Sequence, residues 1–297
     1  MAEKDFAIVC DATCDLSLSF LEKAAVVPVR LDGADGPVLD ERAAAERLYR
    51  SLAAAGHTKI VSVHSAACFS PLLAAARAAA ADCAGVADVR VVDSGSASVA
   101  TGMLIDRAAR YRHFDVEFGD AVAGLEALAS RVRLLALPAP GSRLAGRRRR
   151  PRGGLIGRAA ASLRTRVTGE RGLYLLSHGE VTQLARNNDR AALLRRLAHA
   201  VGTVANNDGA LVSALADAGD ARTLRALERA LVETDADVAC LGTVRALAPS
   251  EDALGSGSVA LAIAPSSAYW RDEASLAGLG SQSDVSGSGD EQNDGTG

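Results

Sequence analysis

Three separated segments of the chain combine residue types in one order: a short apolar run, a polar residue, a hydroxyl-rich turn and then an alanine-rich stretch. They are AIVCDATCDL (7–16), IVSVHSAACFSPLL (60–73) and VRVVDSGSASVATG (89–102). Hydroxyl and carboxylate side chains beside the unpaired N–H groups of a starting helix make a pocket suited to a polar or anionic head group. The candidate contacts are Asp11 and Thr13 in the first turn, Ser70 in the second, and Ser94, Ser96 and Ser98 in the third. Each also has a purely structural reading. Ser70 before Pro71 is the pattern of an N-cap followed by proline at the first helical position. Asp11 and Thr13 suit an ordinary Asx turn, and the third segment needs a cap of its own.

Catalytic chemistry is not announced. His57, His64, His113, His178 and His199 lack metal-ligand spacing, and there is no nucleophile elbow, phosphate loop or dinucleotide fingerprint. Cys10, Cys14, Cys68, Cys83 and Cys240 form no C-x-x-C pair, which fits reduced, mostly buried thiols. No catalytic residue, metal or cofactor is therefore predicted.

The elements that must carry these turns alternate. Strands are predicted at 7–10, 26–31, 59–63 and 89–92, with helices at 41–55, 71–82 and 98–111. Such alternation predicts a parallel sheet covered on both faces, with all three turns at its carboxyl edge. Proline inside VVPVRL marks the second strand as an edge or strand start. A helix over 118–129 leads to a strand at 134–137 and a loop rich in Pro and Gly, where the pattern changes. Beyond it the expected order is a hairpin turning at His178-Gly179, helix 189–201, strand 210–214, helix 221–233 and strands 238–241 and 259–264. This second half reads as α/β with a mixed sheet.

With 297 residues and 48% hydrophobic residues, the chain is long enough for two ordinary cores. The expected division is 1–133, an N-terminal α/β domain, and 134–268, a C-terminal α/β domain. A tail follows over 269–297, whose Ser, Gly and acidic composition reads as disordered. A net charge of -3 gives no global attraction to nucleic acid. The arginine run around Arg147–Arg150 has no interleaved aromatic residues, so no nucleic-acid partner is expected. No apolar stretch reaches the roughly 20 residues of a membrane span, and the N-terminus lacks the features of a secretory signal. A cytoplasmic location is the expectation.

IVCDATCDL, SVHSAACFSP and VVDSGSASVATG, together with GGLIGRAAASL (153–163), resemble in order and spacing four motifs of the DegV family. The resemblance covers nearly all of the chain except its tail. It implies a two-domain α/β protein that holds a fatty acid between its domains without chemistry of its own. Some DegV-like proteins are the carrier subunit of a fatty acid kinase, so a kinase subunit becomes a candidate partner. By the same resemblance, Ser70 matches the serine that hydrogen-bonds the fatty acid carboxylate. Arg158 matches the second arginine of the family's Gly-Arg-Ile-Gly-Arg helix start, Arg186 an arginine near the head group, and Asp11 and Thr13 the polar turn, with Ser96 in the third segment.

The chain departs from the family's pattern twice. The Thr-Ser-Gln-Pro segment before the Ser70 region is missing, and APSEDALGSGS (248–258) stands where the family has His-Thr-Gly-Pro-Gly. The alternative reading is accordingly a degenerate DegV-like interaction or regulatory protein that has lost lipid binding.

Overall fold

The computed structural model describes residues 6–31, 40–146 and 170–270. The first half runs β1 (Ala7–Cys10), α1 (Leu18–Lys23), β2 (Val26–Pro28), α2 (Glu41–Ala54), β3 (Lys59–His64), α3 (Leu72–Asp82), β4 (Asp88–Asp93), α4 (Val99–His113) and α5 (Phe118–Ala129). Its four strands form a wholly parallel sheet in the order β2-β1-β3-β4. Pro28 lies on the edge strand, where the absent N–H disrupts no interior ladder.

Because β1 has neighbours reached by crossovers in opposite directions, the crevice between the loops after β1 and β3 is a topological switch point. Open α/β sheets place ligands at such a crevice.

The second half comprises β5 (Arg133–Leu137), α6 (Arg143–Gly146), β6 (Arg171–Ser177), β7 (Glu180–Asn187), α7 (Arg190–Asp208), β8 (Leu211–Asp217), α8 (Ala221–Val232), β9 (Val238–Arg245), α9 (Ala248–Leu254), β10 (Val259–Pro265) and α10 (Ser266–Tyr269). Its sheet, ordered β7-β6-β5-β10-β8-β9, is antiparallel except for the β8–β9 pair. The molecule is thus α/β with one parallel and one mixed sheet. The β6–β7 hairpin turns at His178 and Gly179, both with positive φ as a two-residue turn of this hand requires.

Several boundaries differ from the sequence expectation. Helix α7 continues through Gly202 to Asp208, its Leu197 and Val201 packed in the core, and Gly209 at φ +82° ends it. Helix α9 was not expected, because seven residues are too few to show a period; proline in its first turn and Glu251 start it. Tyr269 is fully buried and Trp270 lies under the Arg110 guanidinium, so the folded body extends past 268. Residues 271–297 lie outside the described residues. Among the described residues no helix is long and apolar enough to cross a membrane.

Helix α4 holds the two sheets together. A single apolar cluster passes from Ile8 and Val63 of the parallel sheet through Met103, Leu104 and Ile105 of α4 to Ala136, Ala260 and Ala262 of the mixed sheet. Alternation along β10 sends its alanines to this side and Val259, Leu261 and Ile263 to the other, where they pack with Leu193, Leu194 and Leu197 of α7. Small residues on the inner face allow α4 to lie close to the sheet.

The tightest point is Gly102, where an added Cβ would come within 2.6 Å of the Cys14 carbonyl oxygen. Since the obstacle is backbone, Gly102→Ala is expected to destabilise the protein by about 1–3 kcal/mol, read as a lower midpoint in urea.

Candidate functional site

The three hydroxyl-rich turns meet at the carboxyl edge of the parallel sheet, as the parallel register of β1, β3 and β4 requires. Their side chains bond to one another. Asp11 accepts from the Thr13 N–H at 3.0 Å and from the Thr13 hydroxyl through one oxygen, and from the Ser65 N–H at 2.9 Å through the other. Thr13 Oγ1 lies 2.6 Å from Ser65 Oγ, which is 3.1 Å from Thr101 Oγ1; Thr101 in turn is 2.9 Å from Ser94 Oγ. The chain of bonds ends where the Ser96 N–H donates to Ser94 Oγ at 3.2 Å.

Every member is buried, so each needs the partners it has. The network stitches the switch-point crevice with the protein's own groups.

His64 stands under this network. Its Nε2 lies 2.7 Å from Ser62 Oγ, which accepts from the Tyr49 hydroxyl at 2.8 Å, and its Nδ1 is 3.8 Å from Asp11 Oδ2, beyond hydrogen-bonding range. Burial pushes the Asp11 carboxyl up, but the neighbouring imidazole, Thr13 and the Ser65 N–H outweigh it and hold the group below its ordinary value. Ser62, His64 and Asp11 are all buried, with Ser62 in a strand interior.

A second carboxylate does different work. Asp15 is fully buried at φ +48°, and accepts from the Ser98 hydroxyl through Oδ2 and from the Leu247 N–H at 2.7 Å through Oδ1. Ser98 itself has φ +56° and ψ -140°, a conformation that costs a non-glycine residue about 1–3 kcal/mol and persists only where the surroundings enforce it. Nearby, Ser250 Oγ donates to the Thr13 carbonyl at 3.4 Å. Burial raises the Asp15 carboxyl above its ordinary value, with the Ser98, Leu247 and Ser250 contacts opposing.

The expected site residues are only partly brought together. Asp11, Thr13 and Ser96 share the network, and Ser96 Oγ donates to the Leu176 carbonyl at 3.4 Å, joining the third turn to the mixed sheet. Ser70 lies just ahead of Pro71, which takes the cap position of α3 in place of the serine expected there, and accepts from the Leu72 N–H at 3.3 Å; among the described residues its own hydroxyl proton has no acceptor. Arg158 lies outside the described residues. Arg186 is exposed near the far end of β7, 3.6 Å from Glu170, roughly 20 Å of strand from the hairpin tip that touches the third turn at Gly95. The structure does not bring it to the other candidates. Asp15, His64, Ser65 and Thr101 were not singled out from sequence as site residues; the second acid of the DATCD turn was the one available signal.

The family model described as "Uncharacterised protein, DegV family" matches residues 40–265. The chain belongs to the DegV family. Solved DegV structures share its fold. One from Corynebacterium glutamicum superposes with a TM-score of 0.72 at 17% identity, covering 88% of this chain and 97% of its own. A DegV protein from Thermus thermophilus, described as fatty acid binding, gives 0.70 at 21% identity over 88% and 99%. A stearic acid-binding protein from Eubacterium ventriosum gives 0.68 at 20% identity over 89% and 99%. No curated protein matches the chain. Ser250 and Ser258 both lie in the stretch APSEDALGSGS (248–258). Ser258 Oγ is buried with no hydrogen-bond partner among the described residues.

Proposed function

We propose that this chain is a cytoplasmic carrier that binds a long-chain fatty acid, or a similar amphipathic carboxylate, non-covalently between its two halves. The observation that carries this reading is Ser70, a buried serine at the head of the eleven-residue helix α3 whose hydroxyl proton is not committed within the described structure. A carboxylate oxygen placed there would accept that proton and face the positive end of the helix. Arg158 is assigned as the pairing cation, as in the family's motif. Asp11 and Thr13 bond each other, and Ser96 bonds Ser94 and the Leu176 carbonyl, so their role in this reading is to hold the turns in position. Relatives described as binding fatty acid or stearic acid share the fold, which supports the ligand class.

No catalytic step is assigned to the chain; if it serves a fatty acid kinase, the partner supplies nucleotide and phosphoryl transfer. The loss of two family segments that contact the head group supports a second reading, an interaction protein without lipid. Mass spectrometry of solvent extracts from the purified protein separates them. One fatty acid per chain is expected, falling at least tenfold in Ser70→Ala, since a hydrogen bond to a charged group contributes about 1.5–3 kcal/mol. A folded protein that neither carries nor takes up fatty acid would leave the interaction reading.

A further inference from the structure

Residues 13–16 form a strap between the halves. On one side α4 presses on it at Gly102, directly against the Cys14 carbonyl, and Ser98 at the head of α4 bonds Asp15. On the other, the Leu247 N–H preceding α9 bonds the second Asp15 oxygen, while Ser250 reaches the Thr13 carbonyl. Asp15 is therefore a single carboxylate shared between an element of the parallel-sheet half and one of the mixed-sheet half.

Beside it, a cleft of about 230 Å³ separates α1 and α4 from β8 and β9. Its walls are Leu16, Phe20, Val99, Met103, Leu241 and Val244, and Asp15 is also part of its lining. The contact is held under backbone tension, because both bonded residues, Asp15 and Ser98, have positive φ. A strained pair joined by one hydrogen bond can relax when that bond breaks, so this junction is a point at which the two halves could part.

We propose that Asp15 is a latch whose release lets the α9 and β8–β9 corner move away from α1 and α4, opening the molecule for ligand exchange. The exchange role rests on the fatty-acid reading above; the latch itself does not. Without the Asp15 carboxylate the Leu247 N–H loses its partner, the strap loosens and the apolar cleft widens along α4.

Two readouts test this on the full chain. In Asp15→Ala, hydrogen exchange of the Leu247 amide is expected to accelerate about tenfold or more, and dissociation of bound cis-parinaric acid by a similar factor, the effect of losing one hydrogen bond. Asp15→Asn, which keeps a side-chain acceptor and tolerates positive φ, is expected to restore both. Ser98→Gly removes the other bond and the strain, and is expected to speed dissociation with Asp15 intact; it also serves if Asp15→Ala fails to fold. Unchanged Leu247 exchange in folded Asp15→Ala would overturn the latch. Normal binding with unchanged dissociation in both Asp15→Ala and Ser98→Gly would overturn its role in exchange. Failure of the wild-type protein to bind cis-parinaric acid would instead remove the fatty-acid reading and the exchange role together, while amide exchange still decides the latch.

Discussion

Asp11→Ala is expected to lower unfolding stability by about 3–5 kcal/mol, the range for removing one member of a buried charged, hydrogen-bonded set. The carboxylate accepts two backbone N–H groups and a hydroxyl, and none of these donors can turn to water when it is gone. Asp11→Asn keeps one acceptor and should cost less. Denaturant unfolding of the three proteins is the measurement, and a loss below 1 kcal/mol in the alanine variant would contradict the network as described.

The same group gives a pH dependence with a definite sign. Asp11 titrates below its ordinary value in the folded protein, so its contribution is present above that value and disappears as pH falls through the lowered one. Asp15 acts oppositely: being raised, its ionisation costs stability, and that cost appears as pH rises through its folded value. Asp11→Asn should therefore flatten the acid limb of the stability curve, whereas Asp15→Asn should flatten the region just above the ordinary carboxylate range.

Tyr269→Ala should cost about as much, roughly 3–5 kcal/mol, because it empties a fully buried aromatic site between α4, α5 and β10. Its ring stacks edge-on against Trp270 and its hydroxyl donates to Asp106, which also receives Arg110 at 2.9 Å. Tyr269→Phe keeps the ring and leaves Asp106 its arginine, so about 0.5–1.5 kcal/mol is expected. Melting the two variants side by side separates packing from hydrogen bonding. Equal losses would mean that the hydroxyl, not the ring, holds α10 in place.

The residue marks both the reach and the limit of composition as a guide. The low-complexity run after 270 is obvious in sequence, but whether the aromatic pair before it is buried depends on a surface made by α4, far away in the chain.

The three turns were legible because their chemistry is local: a cap, a proline and a strand ending on a polar residue all fall within a few positions. Their meeting at one sheet edge followed from β/α alternation. What could not be read was which polar residue would bond which. Asp15 with Ser98 and Leu247, or Ser65 with Thr101, are pairings fixed by how α4 is laid between the sheets. Arg186 shows the converse. A motif can suggest a residue's type and element, but only the strand's direction and register decide which end of the hairpin it occupies.

The strand order of the mixed sheet has a consequence for synthesis. Its central strand, β10, is nearly the last element of the described chain, yet it joins the β7-β6-β5 group to the β8-β9 group. Until that strand leaves the ribosome, β5 and β8 each present an unpaired, apolar edge, and the long-range pairing that covers them is slow to form. The nascent protein thus passes through a period of vulnerability to aggregation that ends only once β10 has emerged, making early release or truncation before residue 259 more damaging than the length lost would suggest.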